Sequence, residues 1–403
     1  MIDISEIQTF ISQHGHFNIL DWLLEQNWLA YADYEQWRYG SISNLEECFA
    51  VDREELNALC NELHSHCEKL NLVSEVKPLF LWGSNSPKAL VVSSDKFINE
   101  SILLVWRSPK DVPQMDLFMD NTPTILENQV IEALADRRFR DARDALEQLA
   151  TLNQAHLRLG AMTDLINYGD HIQSEPLIAL EALSAEFDGL DCEVAPLAKE
   201  VLGSRQRDFL AFAWRRVADS FFAHPIKSSQ AEQCCYALAQ IPDWQKLKEL
   251  LDTQVALYQS PVLLQSLASA YAHTRQDALY KLAWGILFER FPEQAYEKLN
   301  AAGRTINELW ESFTEKMEDS PDTHFLGFLL IQQPGLVQWF DKLPASDCDS
   351  VTEPENRAIL ELVKIRLLEQ DERNARALAK EVAPDLFKLY LNKRDWQASL
   401  KQV

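Results

Sequence analysis

Cys60, His64 and Cys67 fall at i, i+4 and i+7, a spacing that sets two thiols and an imidazole along one face of a helix. Such donors are the start of a zinc site, but zinc wants ligands held from more than one direction, and a single helix rarely supplies three. Leu56, Leu59, Leu63 and Leu70 run an apolar stripe beside that face, so a partly buried Cys/His packing edge is the expected reading and metal the alternative. His14 and His16, flanking Gly15, are a weaker pair. Asp347, Asp349, Glu353 and Glu355 crowd a loop, yet the glycine and the final carboxylate of an EF-hand are missing, and a solvated acidic loop is expected. A different chemistry is written at Tyr31, Tyr34, Trp37, Arg38 and Tyr39. Aromatic rings beside a guanidinium have the composition of a binding hot spot. Tyr34, Trp37 and Arg38 are therefore the candidate partner-binding residues; the competing reading uses Tyr34 and Trp37 to anchor the first helices on the strands that follow.

Several catalytic chemistries lose their usual signatures. The 11 glycines lie no closer together than eight residues, so G-x-G-x-x-G, G-x-x-x-x-G-K-[ST] and G-x-S-x-G are all absent. A Rossmann enzyme, a P-loop NTPase, a protein kinase and an ordinary α/β-hydrolase become less expected together, and no catalytic residue and no cofactor is assigned. The nine histidines and many carboxylates permit countless triads, and permission is not evidence.

Charge narrows the partners. The 403 residues carry 38 Lys and Arg against 62 Asp and Glu, a net charge of −24. Residues 1–110 alone hold 8 basic against 16 acidic side chains. Nucleic-acid binders draw most of their affinity from basic surface and counterion release, so no nucleic-acid partner is expected. The seven cysteines are odd in number and contain no C-x-x-C, which fits free thiols in a reducing cytoplasm. The acidic N-terminus lacks the basic start of a signal peptide. The uncharged runs at 253–274 and 323–340 are broken by Gln, Ser and Pro; they read as buried helices interrupted by a turn, and no membrane partner is expected.

The elements that must position these residues are mostly helices. Ile4, Ile7, Phe10 and Ile11 have helical spacing, and Leu20, Leu23 and Leu24 continue it up to Tyr31, Tyr34 and Trp37 before Gly40. Asp52, three residues ahead of Glu55, opens a helix through Leu56, Leu59, Leu63 and Leu70. Val76 to Trp82, Ala89 to Ser93 and Ser101 to Trp106 are short apolar runs parted by turn signals, and they predict a three-stranded antiparallel meander. The helices and meander together form a small α+β unit over 1–120. From Leu126 onward prolines punctuate purely helical patterning, so 121–403 is expected to be a helical array.

Four places in the second part read as tight helix-pair turns: 136–142, 241–244, 274–278 and 369–373. The pair at 264–291 resembles a tetratricopeptide repeat: Leu264, Leu267, Ala268 and Tyr271 match its first helix, Ala278 and Leu282 its second, and Pro292 follows. Leu264 stands where the family has Trp, and Ala278 comes two residues early. The resemblance implies an α-solenoid of helix pairs whose groove holds a peptide or a partner helix.

The fold class expected is thus mainly α, a small α+β unit followed by a solenoid. The function expected is a non-enzymatic cytoplasmic adaptor, scaffold or chaperone that binds another protein or peptide. Two alternatives stand beside it. One is an enzyme with a site in 1–120 or at its junction with the helices. The other is a transcriptional regulator with a winged-helix-like N-terminal unit, which would need Arg38, Arg53, Lys69, Lys77 and Lys88 on one face.

Overall fold

Caps and apolar stripes place the first helices where the sequence predicts them. The computed structural model describes residues 4–84, 88–109, 122–224, 228–254, 256–344 and 352–393. Helices α1 (Ile4–His14), α2 (Ile19–Glu25), α3 (Tyr31–Arg38), α4 (Arg53–Lys69) and α5 (Lys96–Leu103) occupy the N-terminal stretch. The Asp52 side chain accepts the Glu54 and Glu55 backbone N–H groups, as an N-cap should.

Three antiparallel strands pair in the order β1 (Phe17–Asn18), β3 (Leu104–Arg107), β2 (Val73–Val76). Phe17 lies opposite Trp106, and Glu75 opposite Val105. The sheet is not the meander expected from the apolar runs. Of the first run only Val76 is in a strand, and the second, Ala89 to Ser93, is in none. The Leu90 N–H donates to the Leu79 carbonyl and the Leu45 N–H to the Val92 carbonyl, isolated bonds that form no ladder. The third run enters β3 only at Leu104, because the Asp95 carboxylate caps Phe97 and Ile98 and starts a helix instead. Asn18 joins these pieces. Its amide donates to the Ile102 and Leu104 carbonyls while its oxygen caps α2 at the Asp21 N–H.

From residue 122 onward every named element is helical. The chain forms two compact units, one of Met1–Ile226 with Tyr236–Asp243, the other of Lys227–Cys235 with Trp244–Val403. The first unit continues with α6 (Thr122–Ala135), α7 (Phe139–Leu152), α8 (Leu159–Ser174), α9 (Leu183–Gly189), α10 (Ala195–Leu202) and α11 (Gln206–Phe222). It therefore takes in both the 1–120 stretch and helices that the sequence assigns to the array. Val130, Leu134, Ala142, Leu149, Ile166, Leu202 and Phe209 form one contiguous core. Helix α12 (Ser228–Gln240) runs through the point of division.

The second unit holds α13 (Trp244–Leu251), α14 (Pro261–His273), α15 (Asp277–Arg290), α16 (Pro292–Lys298), α17 (Gly303–Lys316), α18 (Phe325–Gln332), α19 (Val337–Phe340), α20 (Pro354–Leu367), α21 (Arg373–Val382) and α22 (Pro384–Asn392). The uncharged runs fold as short buried helices separated by turns, and among the described residues no helix is long and apolar enough to cross a membrane. Helix α18 is apolar all round and is buried accordingly, and α15 is buried on nearly every face, Lys281 and Glu289 included. Phe288 stacks on Trp310 at 4.1 Å, and Phe313, Phe325 and Phe328 complete the cluster. Gly285 lets α15 and α18 close together: a Cβ there would meet the Leu326 side chain at 2.7 Å.

Three of the four predicted turns share one backbone device. Arg137, Arg275 and Glu369 are left-handed, with φ of 58°, 57° and 53°. In each, the next residue's N–H reaches five positions back: Arg138 to Ala133, Gln276 to Tyr271, Gln370 to Ile365. This Schellman closure satisfies the orphan carbonyls of the first helix and turns the chain into the second. It makes hairpins of α6 with α7, α14 with α15, and α20 with α21.

Candidate functional site

The aromatic and cationic cluster read as a hot spot lies inside the first unit. Tyr34 and Trp37 are 3% and 0% exposed, and Arg38 is wholly buried. As placed, none of the three is at a surface that a partner reaches. Their burial has a specific cause. Arg38 donates to Asp136 at 2.8 Å, to Asp208 at 3.2 Å, to the Tyr34 hydroxyl at 2.6 Å and to the Phe80 carbonyl at 3.0 Å. The Tyr34 hydroxyl donates in turn to Asp208. Burial alone works against the guanidinium charge, but Tyr34 and the two carboxylates outweigh it and raise its pKa. Trp37 donates its indole N–H to the Val91 carbonyl. Asp136 sits at the α6–α7 turn and Asp208 in the first turn of α11, so one guanidinium fastens α3 to two distant parts of the unit.

Trp82 is pressed between two cations of this region. The Arg38 and Arg137 guanidinium carbons lie 4.7 and 3.4 Å from the indole centroid. Arg137 also donates to the Asp208 backbone carbonyl and lies over the Phe212 ring. Of the five cations a winged helix would need on one face, Arg38 is inside, and the exposed Arg53 pairs with Glu46 and Asp95.

Cys60, His64 and Cys67 do share the face predicted of α4, and apolar atoms surround it. Both thiols are buried, and desolvation pushes each up to about 12. The His64 ring packs against Phe97 and Trp106 at 5.6 and 5.4 Å, and burial lowers its pKa. Among the described residues no three His, Cys, Asp or Glu side chains gather into a group able to hold a metal ion. Of the acidic loop, Asp347 and Asp349 lie outside the described residues, as does Cys348; the Glu353 N–H donates to Glu289 of α15.

The second unit offers an open groove of about 360 Å³ beside the α14–α15 hairpin. Tyr271 and Tyr280 contribute aromatic floor from α14 and α15, and Arg275, at the left-handed turn, stands on the rim. Gly303, Arg304 and Thr305 of α17 form the opposite side. The Tyr280 hydroxyl donates to the Ala302 carbonyl and ties α15 to the start of α17. Tyr271 is buried, whereas Ala272, Arg275, Arg304 and Thr305 are exposed. None of the groove residues was singled out as a site from sequence; the only signal was the helix-pair motif at 264–291, which contains five of them.

Comparison of the chain with protein-family models, with curated proteins and with solved structures gives no match. The fold therefore defines the class on its own terms: a mainly helical protein with a small three-stranded antiparallel sheet.

Proposed function

We propose that the chain is a non-enzymatic protein-binding adaptor of tetratricopeptide-like, solenoid-forming helix pairs. The occupant is an extended, acidic segment of another protein, held in the groove between α14, α15 and α17. The carrying observation is that groove. At about 360 Å³ it falls within the range of roughly 300–1,000 Å³ typical of ligand clefts. The half-buried Tyr280 ring supplies contact area, and Arg275 and Arg304 outnumber Asp277, the one acidic side chain of the lining, although Arg304 also pairs with Glu308. The recurring left-handed turn supports the same reading, since hairpins closed alike bury one face each and leave surface between neighbours. The free state of Cys48, Cys60, Cys67, Cys192, Cys234 and Cys235 supports a reducing cytoplasm as the setting.

The test is affinity capture of cross-linked complexes by the intact protein from its native cells, in parallel with Thr305→Trp. Thr305 is exposed, so the indole fills the groove without entering the core. One dominant protein held by the wild type and lost with Thr305→Trp is the expected result. Equal retention by both proteins, or no protein above background, overturns the reading.

A further inference from the structure

In the first unit a second cavity, of about 60 Å³, opens between the sheet and the start of α11. One water requires only about 10–15 Å³ of such space, so the cavity has room for a small polyatomic ion. Lys77 reaches it from the end of β2, Arg107 from the end of β3, and Arg205 and Arg207 from the start of α11. Leu79, Leu103 and Val105 form an apolar wall.

The countercharges do not satisfy this set. Arg207 is committed to Asp21 at 3.2 Å and Glu25 at 2.7 Å. Arg205 reaches Asp136 at 3.3 Å, and its Nε is buried with no hydrogen-bond partner among the described residues. Asp136 and Asp208 are already the partners of buried Arg38. Lys77 and Arg107 make no ion pair with any described residue. Burial, Arg205 and Arg107 together lower the Lys77 pKa, and Glu75 and Glu132 only partly counter them; neither glutamate lines the cavity, whose only carboxylates among the described residues are Asp21 and Asp208, against the four cations Lys77, Arg107, Arg205 and Arg207. Three cationic groups thus converge from three elements on one small space, with fewer anions than they need.

We propose that this cavity is a binding site for a tetrahedral oxyanion, a phosphate or the terminal phosphoryl group of a small molecule, held by Lys77, Arg107 and Arg205. Donors arriving from three directions match an ion with acceptors on every side, whereas a planar carboxylate presents only two oxygens. Arg makes charge-assisted, fork-shaped hydrogen bonds to phosphate, and Lys adds a point charge. The site is independent of the groove in the second unit.

The test is calorimetric titration of the full chain with inorganic phosphate and, separately, with methyl phosphate, at constant ionic strength set by chloride. Saturable binding at or below millimolar concentration is expected. Lys77→Met and Arg107→Gln should each weaken it by about tenfold or more, as loss of one charge-assisted hydrogen bond implies. Neither side chain holds a structural ion pair among the described residues, so both variants should unfold in urea near the wild-type midpoint. Two variants, from different strands, keep the test informative if one fails to fold. Tighter binding of methyl phosphate identifies a phosphorylated ligand, and binding of inorganic phosphate alone identifies the free ion; either supports the proposal. No heat from either probe, or equal affinity in wild type and both folded variants, overturns it.

Discussion

Arg38 is buried and meets two carboxylates there, so its removal leaves Asp136 and Asp208 short of a countercharge in the interior. Breaking a buried pair from one side typically costs about 3–5 kcal/mol. Arg38→Met should lower stability by that order in urea unfolding, and Arg38→Lys should rescue little, because an ammonium cannot reproduce the fork. A midpoint within error of the wild type would refute the fastening role. Glu289 makes a second prediction at this scale. It is 4% exposed, one oxygen accepts Asn356 and the Glu353 N–H, and the other has no partner among the described residues. Burial pushes its carboxyl up to about 7. Between the ordinary glutamate range and that value the folded chain keeps a proton that the unfolded chain has released. Stability therefore falls as pH rises through this window and levels off above it. Urea midpoints at about pH 5 and about pH 8 should differ more in the wild type than in Glu289→Gln, by on the order of 2–3 kcal/mol. Identical pH profiles for the two proteins would contradict the assignment.

At the scale of elements, helices were legible where periodicity and caps agreed. Asp52 and the leucine stripe of α4 placed that helix in advance. The strands were not legible. β1 has two residues, too few for any period, and β2 is exposed throughout, so neither carries the alternation that marks a strand. The apolar runs that imitated strands instead supply isolated backbone bonds and the α5–β3 junction. The helix-pair turns were legible as places, but their left-handed residue was not, since Arg137, Arg275 and Glu369 are not the glycine that usually marks one. A left-handed conformation costs a non-glycine residue about 1–2 kcal/mol, and glycine's added unfolded-state freedom takes back about 0.4–1. Glu369→Gly, at an exposed site, should raise stability by up to about 1 kcal/mol, read as a higher urea midpoint; a lower midpoint would contradict the turn. The α7–α8 contact predicts the opposite sign. A Cβ at Gly169 would lie 2.2 Å from the Phe139 ring. Overpacking costs about 1–3 kcal/mol against about 1 gained in helix propensity, so Gly169→Ala should be destabilising on balance.

For the whole molecule, the mainly helical class was legible in the periodicity and in the prolines that punctuate it after Leu126. The interior position of Tyr34, Trp37 and Arg38 was not. Their composition is that of a hot spot, and what holds Arg38 inside is a pair of aspartates 98 and 170 residues further along. Nor could any local motif show that residues 77, 107 and 205 converge, because only the sheet and α11 bring them together. The groove was half legible: the 264–291 pair announced itself, while the α17 side did not. The most direct test of the adaptor reading is a photo-crosslinking side chain placed at Thr305 in the full chain in its native cells, with Leu378, exposed on α21, as control. A discrete adduct with one protein from position 305 and none from position 378 is the predicted result. No adduct at 305, or the same adducts from both positions, would contradict the groove as the binding surface.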